Sequence, residues 1–463
     1  MMTNGNISYL TDTGIIIGSR PPEFSDEALA LRFAQVHADD LRYVDPWNKW
    51  LLWDGRRWAY DETRRAFDFA RAQVRATAAE CETKTNSKLP AQIASAKTVA
   101  ATLSLARADR RLAATIDQWD SEPWFLNTPG GIVDLTTGES RPALPQDYMT
   151  KMTTVAPGGE CPRFLSFLDE VTAGDTDLVK FLQRLLGYCL TGSTREHALA
   201  FLYGKGANGK SVLLNTVAGI LGDYHRTAPI ETFTASAVDR HPTELACLQG
   251  RRLVTSIETE EGRRWAESRI KALTGGDKIA ARFMRGDFFE YTPAFKLVIA
   301  GNHKPGLRTV DEAIRRRFHL VPFVITIAEE KRDPELTEKL RQEWPGILQW
   351  MIDGTQFWLE HGLKPPEAVT AATKAYLEAE DALSAWLEEC CDRGDPSAWE
   401  STSGLFGSWR LWAEKAGEHP GTMKRFVQNL EARGLTWERT RTGRGFRSVK
   451  LEIQDQQPPY WDR

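Results

Sequence analysis

The sequence is poor in the features that tie a chain to a membrane, a metal or an oxidising compartment. It has no apolar run near the roughly 20 residues that a membrane-spanning helix needs. Its six cysteines, Cys81, Cys161, Cys189, Cys247, Cys390 and Cys391, form no C-x-x-C pair and have no histidine at ligand spacing. Reduced, mostly buried thiols are therefore expected, and not a zinc site or a disulfide frame. The N-terminal MMTNGNISYLTDTGIIIGSRPPEF lacks the basic segment and apolar core of a secretion signal, so the expected location is the cytoplasm, with no membrane partner. Charge of one sign is also scarce, the net formal charge being −4. That balance argues against a protein that coats nucleic acid over its whole surface, while leaving room for a local positive lining. There is no internal repeat and no low-complexity tract.

What is present is the balance of a soluble globular chain, 26% charged and 41% hydrophobic, and 463 residues exceed one ordinary core. Residues 1–25 read as a loose N-terminal arm. Residues 26–160 read as an α+β domain. In it, Ser25 caps an apolar-periodic helix from Glu27 to Ala38, and LRYV, KWLLW and RWAY form a β meander that turns at Asp54-Gly55. The stretch 61–118 is helical in composition, broken around Lys84–Pro90, and a second β-rich patch runs from Trp124 to Leu135. Sheet-face packing is the expected role of the tryptophans at 47, 50, 53 and 58, with base stacking as the alternative.

Residues 161–345 open with two apolar helices within 163–190. They continue with the short runs ALAFLY (198–203), RLVTSI (252–257), FKLVIA (295–300) and HLVPFVI (319–325). Unalternated runs like these suit strands buried on both faces of a largely parallel sheet. Residues 346–369 read as a helical linker ending near Pro365-Pro366. From 370 to 463, helices around 374–392, 404–416 and 421–433 precede two strands about a Gly443–Gly445 turn, the outline of a winged helix.

One motif is decisive for chemistry. Gly204-Lys205-Gly206-Ala207-Asn208-Gly209-Lys210-Ser211 is a full G-x-x-x-x-G-K-S between the strand ALAFLY and the helix SVLLNTVAGIL. Glycines there let backbone N–H groups turn inward around a phosphate, and the new helix adds the positive end of its dipole. Lys210 is placed to neutralise the β- and γ-phosphates of ATP, and Ser211 to hold Mg²⁺.

A nucleotide hydrolase also needs a carboxylate for the metal shell and the attacking water. RLVTSI, expected beside the phosphate-loop strand, ends at Glu258-Thr259-Glu260-Glu261. Glu258 is the first candidate, for catalysis and for Mg²⁺, and Glu260 the second; a solvated acidic loop is the alternative. FKLVIA ends in Gly301-Asn302-His303, where Asn302 is suited to orient water or contact the γ-phosphate. Then Asp311-Glu312 precede Arg315-Arg316-Arg317. One of these arginines could stabilise transition-state charge across a subunit interface, or all could pair with the adjacent carboxylates.

Several further strings, in order, resemble the phage/plasmid primase-helicase family, which includes poxvirus and satellite-phage enzymes, within the superfamily III helicases. They are PWFLNTPGGIVDLTTGESRP (123–142), GKGANGKS (204–211), ETEEGRRW (258–265), LTGGDKIAARF (273–283), GNHKP (301–305) and DEAIRRRFHLVPF (311–323). The similarity spans roughly residues 30 to 330. It implies an α/β P-loop NTPase core of AAA+-like type, using ATP and Mg²⁺, that assembles as a hexamer and translocates on DNA, usually 3′→5′. Residue by residue it carries Lys210 and Ser211 to the phosphate loop, Glu258 and Glu260 to the acidic motif and Asn302 to the sensor. Arg316 and Arg317 match the paired arginines, while Arg315 stands where relatives often carry an aromatic.

The resemblance further implies a channel hairpin over Ala280–Tyr291, in which Arg282 and Arg285 would meet DNA phosphates. In the C-terminal unit the basic stretch from Arg439 to Lys450 suggests a wing on DNA, with Arg441 and Arg444 as contacts. Many relatives carry a primase-polymerase domain upstream; about 25 residues precede the matched region here, so priming is not expected of this chain and a separate primase or initiator is an expected partner. Host cytoplasm is the implied location. The competing reading is a P-loop loader or initiator that remodels a replication partner without unwinding DNA.

Overall fold

Four uninterrupted apolar runs have no polar face to turn towards water. In the computed structural model of the chain they form four of the five strands of one parallel sheet. The structure describes residues 8–11, 14–17, 21–84, 88–235, 243–257, 263–284, 286–307, 310–395, 397–418, 420–440 and 443–452.

The arm is not featureless: β1 (Ser8–Thr11) and β2 (Gly14–Ile17) pair as an antiparallel ribbon. After it comes α1 (Asp26–Val36), where the Ser25 hydroxyl accepts the Ala28 N–H at 3.2 Å as an N-cap. The meander is β3 (Leu41–Val44), β4 (Lys49–Trp53) and β5 (Trp58–Tyr60), paired in that order. Helices α2 (Arg65–Lys84), α3 (Leu89–Ile93) and α4 (Ala96–Ala106) follow, and α1, α2 and α4 share one apolar core. The helical region ends at Ala106 and not near 118. The next residues edge the meander instead, because Tyr43 donates to Leu112 O at 2.7 Å and accepts from Ala114 N at 2.9 Å. Trp58 is fully buried against Trp53 and Trp119 and donates its indole N–H to Pro145 O at 2.8 Å, as expected of a sheet-face tryptophan. A second antiparallel sheet holds β6 (Phe125–Thr128), β7 (Gly131–Asp134) and β8 (Ser140–Arg141).

The central unit opens with α5 (Pro162–Val171) and α6 (Thr176–Tyr188). Then come β9 (Leu199–Tyr203), α7 (Lys210–Leu221), β10 (His225–Thr227), α8 (Thr243–Ala246) and β11 (Leu253–Ile257). Next are α9 (Glu267–Gly275), the hairpin β12 (Ile279–Ala281) and β13 (Phe289–Tyr291), β14 (Lys296–Gly301), α10 (Glu312–Arg315) and β15 (Phe318–Pro322). The parallel sheet runs β10-β11-β14-β9-β15. RLVTSI is thus not beside the phosphate-loop strand. β14 lies between them, so the strand that ends at Asn302 is the immediate neighbour of β9. β15 stops at Pro322, short of 325, because the chain turns back over the phosphate loop, Ile327 N donating to Ala207 O at 2.8 Å.

Beyond β15 are α11 (Leu336–Arg341), α12 (Trp344–His361) and α13 (Glu367–Ala379). The expected linker of 346–369 is instead packed core. Ile347, Leu348, Met351, Ile352 and Trp358 of α12 are buried with Phe181, Leu182 and Leu185 of α6, and Tyr376 and Leu377 of α13 pack on the sheet's other face. The α6–α12 crossing is close because glycines face each other's backbones. A Cβ on Gly354 would stand 2.2 Å from Gln183 O, and one on Gly187 would stand 2.3 Å from Thr355 N. Gly354→Val is therefore expected to lower stability by about 1–3 kcal/mol or more, read as a lower denaturant midpoint. An unchanged midpoint would show that the helices can part freely.

Two buried cations clamp the floor of the sheet, and one of them, Arg252, also ties it to the first 160 residues. Arg252, just before β11, donates to Leu190 O and Phe125 O, each at 2.6 Å, and stacks on Tyr224. Lys296, at the start of β14, donates to Thr191 O and Ala294 O, and burial pushes its pKa down to about 7.

The C-terminal unit has its own core of Leu383, Trp386, Leu405, Phe426 and Leu430. Its elements are α14 (Ala382–Cys390), β16 (Cys391–Asp392), β17 (Trp399–Ser401), α15 (Thr402–Lys415), α16 (Met423–Ala432), β18 (Trp437–Arg439), β19 (Arg444–Arg447) and β20 (Lys450–Leu451), with a sheet ordered β17-β19-β18. The expected helix 374–392 is split at Glu380-Asp381. Asp381 caps α14 by accepting the Ser384 N–H, and α13 stays on the sheet, so the unit begins near 380 and not at 370. Among the described residues no helix is long and apolar enough to cross a membrane.

Candidate nucleotide-binding site

The turn after β9 depends on glycine at two places. Gly204 has φ +154°, and a Cβ there would lie 1.9 Å from Phe323 O. Gly209 has φ +81°, and a Cβ would meet the Phe167 ring at 2.8 Å and Val171 at 2.6 Å. The loop is thus seated between the end of β15 and helix α5, while Gly206 faces open space. Gly209 is also the N-cap of α7 and supplies no side-chain acceptor, so the first-turn amides have no capping group. Ser211 is exposed on that first turn. Open amides, a lysine at the helix start and an exposed hydroxyl suit a nucleotide phosphate with its magnesium ion.

Lys210 is held before any ligand arrives. Its ammonium donates to Gly204 O at 2.7 Å, Asn208 Oδ1 at 3.0 Å and Asn302 Oδ1 at 3.3 Å, and burial holds its pKa below the usual lysine value. Asn208 in turn donates to Phe323 O at 2.8 Å. Lys210 and Asn302, 92 positions apart, are brought together because β14 adjoins β9. Asn208 and Phe323 were not foreseen in these roles. The signal was the non-glycine, amide-bearing residue inside a glycine loop.

Beside the loop lies a cavity of about 460 Å³ walled by Phe167, Val212, Ile327 and Leu336, with Arg163 and Arg332 among its polar residues. Its size falls in the range of small-ligand sites. Phe167 was read only as part of an apolar helix, since nothing local marks a ring that borders the loop.

The three arginines separate in space. Arg315 is exposed and reaches Asp381 at 3.4 Å. Arg317 is buried, donating to Thr274 Oγ1 at 3.1 Å and Ala313 O at 2.7 Å, and burial lowers its pKa. Arg316 is exposed. The adjacent Asp311 forms its ion pair with Lys271 and caps α10, and it acts on Arg317 only through its charge.

At the hairpin, Arg282 stacks on the Phe288 ring at 4.8 Å, and Phe283, Met284 and Phe288 are exposed near the tip. Arg444 is exposed at the start of β19. Glu258, Glu260, Arg285 and Arg441 lie outside the described residues; β11 does end at Ile257, next to Glu258.

A parallel five-stranded sheet flanked by helices, with this glycine-rich loop at the end of one strand, defines a mixed α/β protein. Two family models match: "D5 N terminal like" over residues 30–173, and a family of unknown function, DUF5906, over 202–317. Relatives include proteins provisionally named as helicases. One from Acanthamoeba polyphaga mimivirus is 24% identical over 67% of this chain and 35% of its own length. One from Frog virus 3 is 26% identical over 70% and 34%, and one from Sputnik virophage 25% identical over 44% and 29%. The chain spans about a third of the length of the curated relatives it matches. The fold is similar to that of the NrS-1 C-terminal region, with TM-score 0.51 and 11% identity over 91% of this chain and 100% of that one. Together these matches make the chain similar in sequence to viral proteins of the phage-type primase-helicase kind and similar in fold to the NrS-1 region.

Proposed function

We propose that the chain is an ATP-driven motor on DNA, a superfamily III helicase of a phage, plasmid or other mobile element. On this reading its core is AAA+-like, its C-terminal unit is winged-helix-like, and it works as a hexameric ring that unwinds DNA during replication. The observation that carries the reading is the meeting of Lys210, Asn208 and Asn302 at the phosphate loop. Lys210 would exchange its carbonyl and amide contacts for the β- and γ-phosphates of ATP. Ser211 and Glu258 would hold Mg²⁺, which when bound neutralises charge shared by those phosphates. Glu258, or as second candidate Glu260, would take the proton of the attacking water while Asn302 orients it. The cavity of Phe167, Val212 and Leu336 would take the nucleoside end. The names given to the viral relatives point the same way.

Single-stranded DNA would pass along the hairpin, with duplex at the fork, Arg441 and Arg444 adding contacts from the C-terminal unit, and a separate primase or initiator alongside. The test combines DNA-stimulated ATP hydrolysis with unwinding of a forked duplex. Hydrolysis with no unwinding would favour the loader reading, and no hydrolysis would end both. Arg282→Ala combined with Arg285→Ala is expected to weaken DNA binding alike for all sequences and to flatten its salt dependence by roughly one to two units of log–log slope, since phosphate contacts carry no base information. A loss confined to one DNA sequence would overturn the hairpin assignment.

A further inference from the structure

The dipeptide Glu380-Asp381, where α13 passes into the C-terminal unit, touches two of the segments that carry the proposed chemistry. The Glu380 carboxylate accepts the Leu307 N–H at 2.8 Å, in the loop that follows the Asn302 turn. The Asp381 carboxylate, 6% exposed, accepts from Arg433 of the C-terminal unit at 2.6 Å and from Arg315 of α10 at 3.4 Å. It also accepts the Ser384 hydroxyl at 2.9 Å. A third tie runs from Arg264, just after the acidic segment, to Glu418 between α15 and α16 at 3.3 Å. The C-terminal unit therefore rests on the loops that leave β11 and β14 and on helix α10, whose C-cap is Arg316. Each contact is a charge-assisted hydrogen bond, directional enough to fix where its partner sits.

We infer that Asp381 is a positioning residue for ATP hydrolysis: it joins Arg433 to Arg315 and so lets the C-terminal unit set the placement of the neighbouring Arg316. Asp381 touches no substrate and acts through the arginine helix. A shift of the C-terminal unit, such as engagement of DNA there would produce, pulls on Arg433, then on Asp381, then on α10. This inference rests on the proposed ATPase reading for its consequence, but not for its geometry.

The test uses the full chain with Arg315→Met, Asp381→Asn and the double variant, followed by two readouts. The first is turnover at saturating ATP set against nucleotide affinity. Each single variant is expected to lose about 5-fold or more in kcat with affinity unchanged, and the double to lose no more than the worse single, since both changes break one connection. Arg315→Lys, which keeps the charge, should recover part of the loss. The second readout is amide exchange in α10, which should rise in each variant while exchange in α7 stays the same. Because Arg315 is exposed, Arg315→Met keeps the test open even if Asp381→Asn fails to fold. Unchanged α10 exchange in Arg315→Met, or additive losses in the double variant, would overturn the inference. Raised α10 exchange in a chain whose wild type does not hydrolyse ATP would instead overturn the ATPase reading, and with it the role in hydrolysis, while leaving the Arg433–Asp381–Arg315 connection standing.

Discussion

Lys210→Ala is expected to cut ATP hydrolysis by roughly 10²–10³-fold or more while the protein still folds. The side chain is buried, yet its partners are the Gly204 carbonyl and the amides of the buried Asn208 and the exposed Asn302, and no apolar core depends on it. Removing it leaves those acceptors to water at modest cost, whereas the phosphate charge loses the cation that faces it. Part of the effect should fall on Asn302, which loses a partner. Asn302→Ala alone should therefore be milder than Lys210→Ala. Steady-state hydrolysis and an unfolding curve check both parts. Turnover above a tenth of wild type would contradict the assignment of this loop, and a collapsed unfolding transition would mean the lysine is structural.

The second large effect distinguishes adjacent arginines. Arg316→Ala is expected to leave ATP binding nearly normal and lower hydrolysis by roughly 10³-fold or more, the range seen when an arginine that stabilises transition-state charge is lost. Arg317→Ala should behave otherwise. Its guanidinium is buried against Thr274 and Ala313 within the same chain, so losing it leaves acceptors unmet and costs about 1–3 kcal/mol of stability. If Arg316 serves a neighbouring subunit, mixing Arg316→Ala with Lys210→Ala chains restores some activity, because some interfaces then pair an intact loop with an intact arginine. Mixed rings that form and recover nothing would place the arginine in its own subunit's site. A stable but inactive Arg317→Ala would reverse the ranking.

Contiguity decided what the sequence could reveal. The phosphate loop is eight consecutive residues whose spacing is its chemistry, and the four apolar runs need no partner to be read as buried strands. Their order is another matter. Placing β14 between β9 and β11 depends on pairings across dozens of residues, and this is why Glu258 was expected on the neighbouring strand. The helix α12 is core and not a linker, and Ile347, Met351, Ile352, Thr355 and Trp358 recur at helical spacing and mark its buried face. Pro365-Pro366 drew the boundary too early, since α13 returns to the sheet beyond it. Arg315, Arg316 and Arg317 are the same residue three times over. Only the turn of α10 sends one to Asp381 and one into the core.

Arg252 and Lys296 set how the chain comes apart. Each is a charge enclosed by main-chain carbonyls, several of them far away in the sequence: Phe125 in the second antiparallel sheet and Leu190 for Arg252, and Thr191 just after α6 for Lys296. Separating the N-terminal region from the parallel sheet would take the Phe125 carbonyl from the buried Arg252 guanidinium, so partial opening there is unfavourable and the two should melt in a single transition. The C-terminal unit, with a core of its own, is free to melt separately. One family model ends at residue 173 and the next begins at 202, but this seam between sequence families contains the Leu190 and Thr191 carbonyls that hold Arg252 and Lys296. A fragment cut there would lose the carbonyls that keep its buried charges in place.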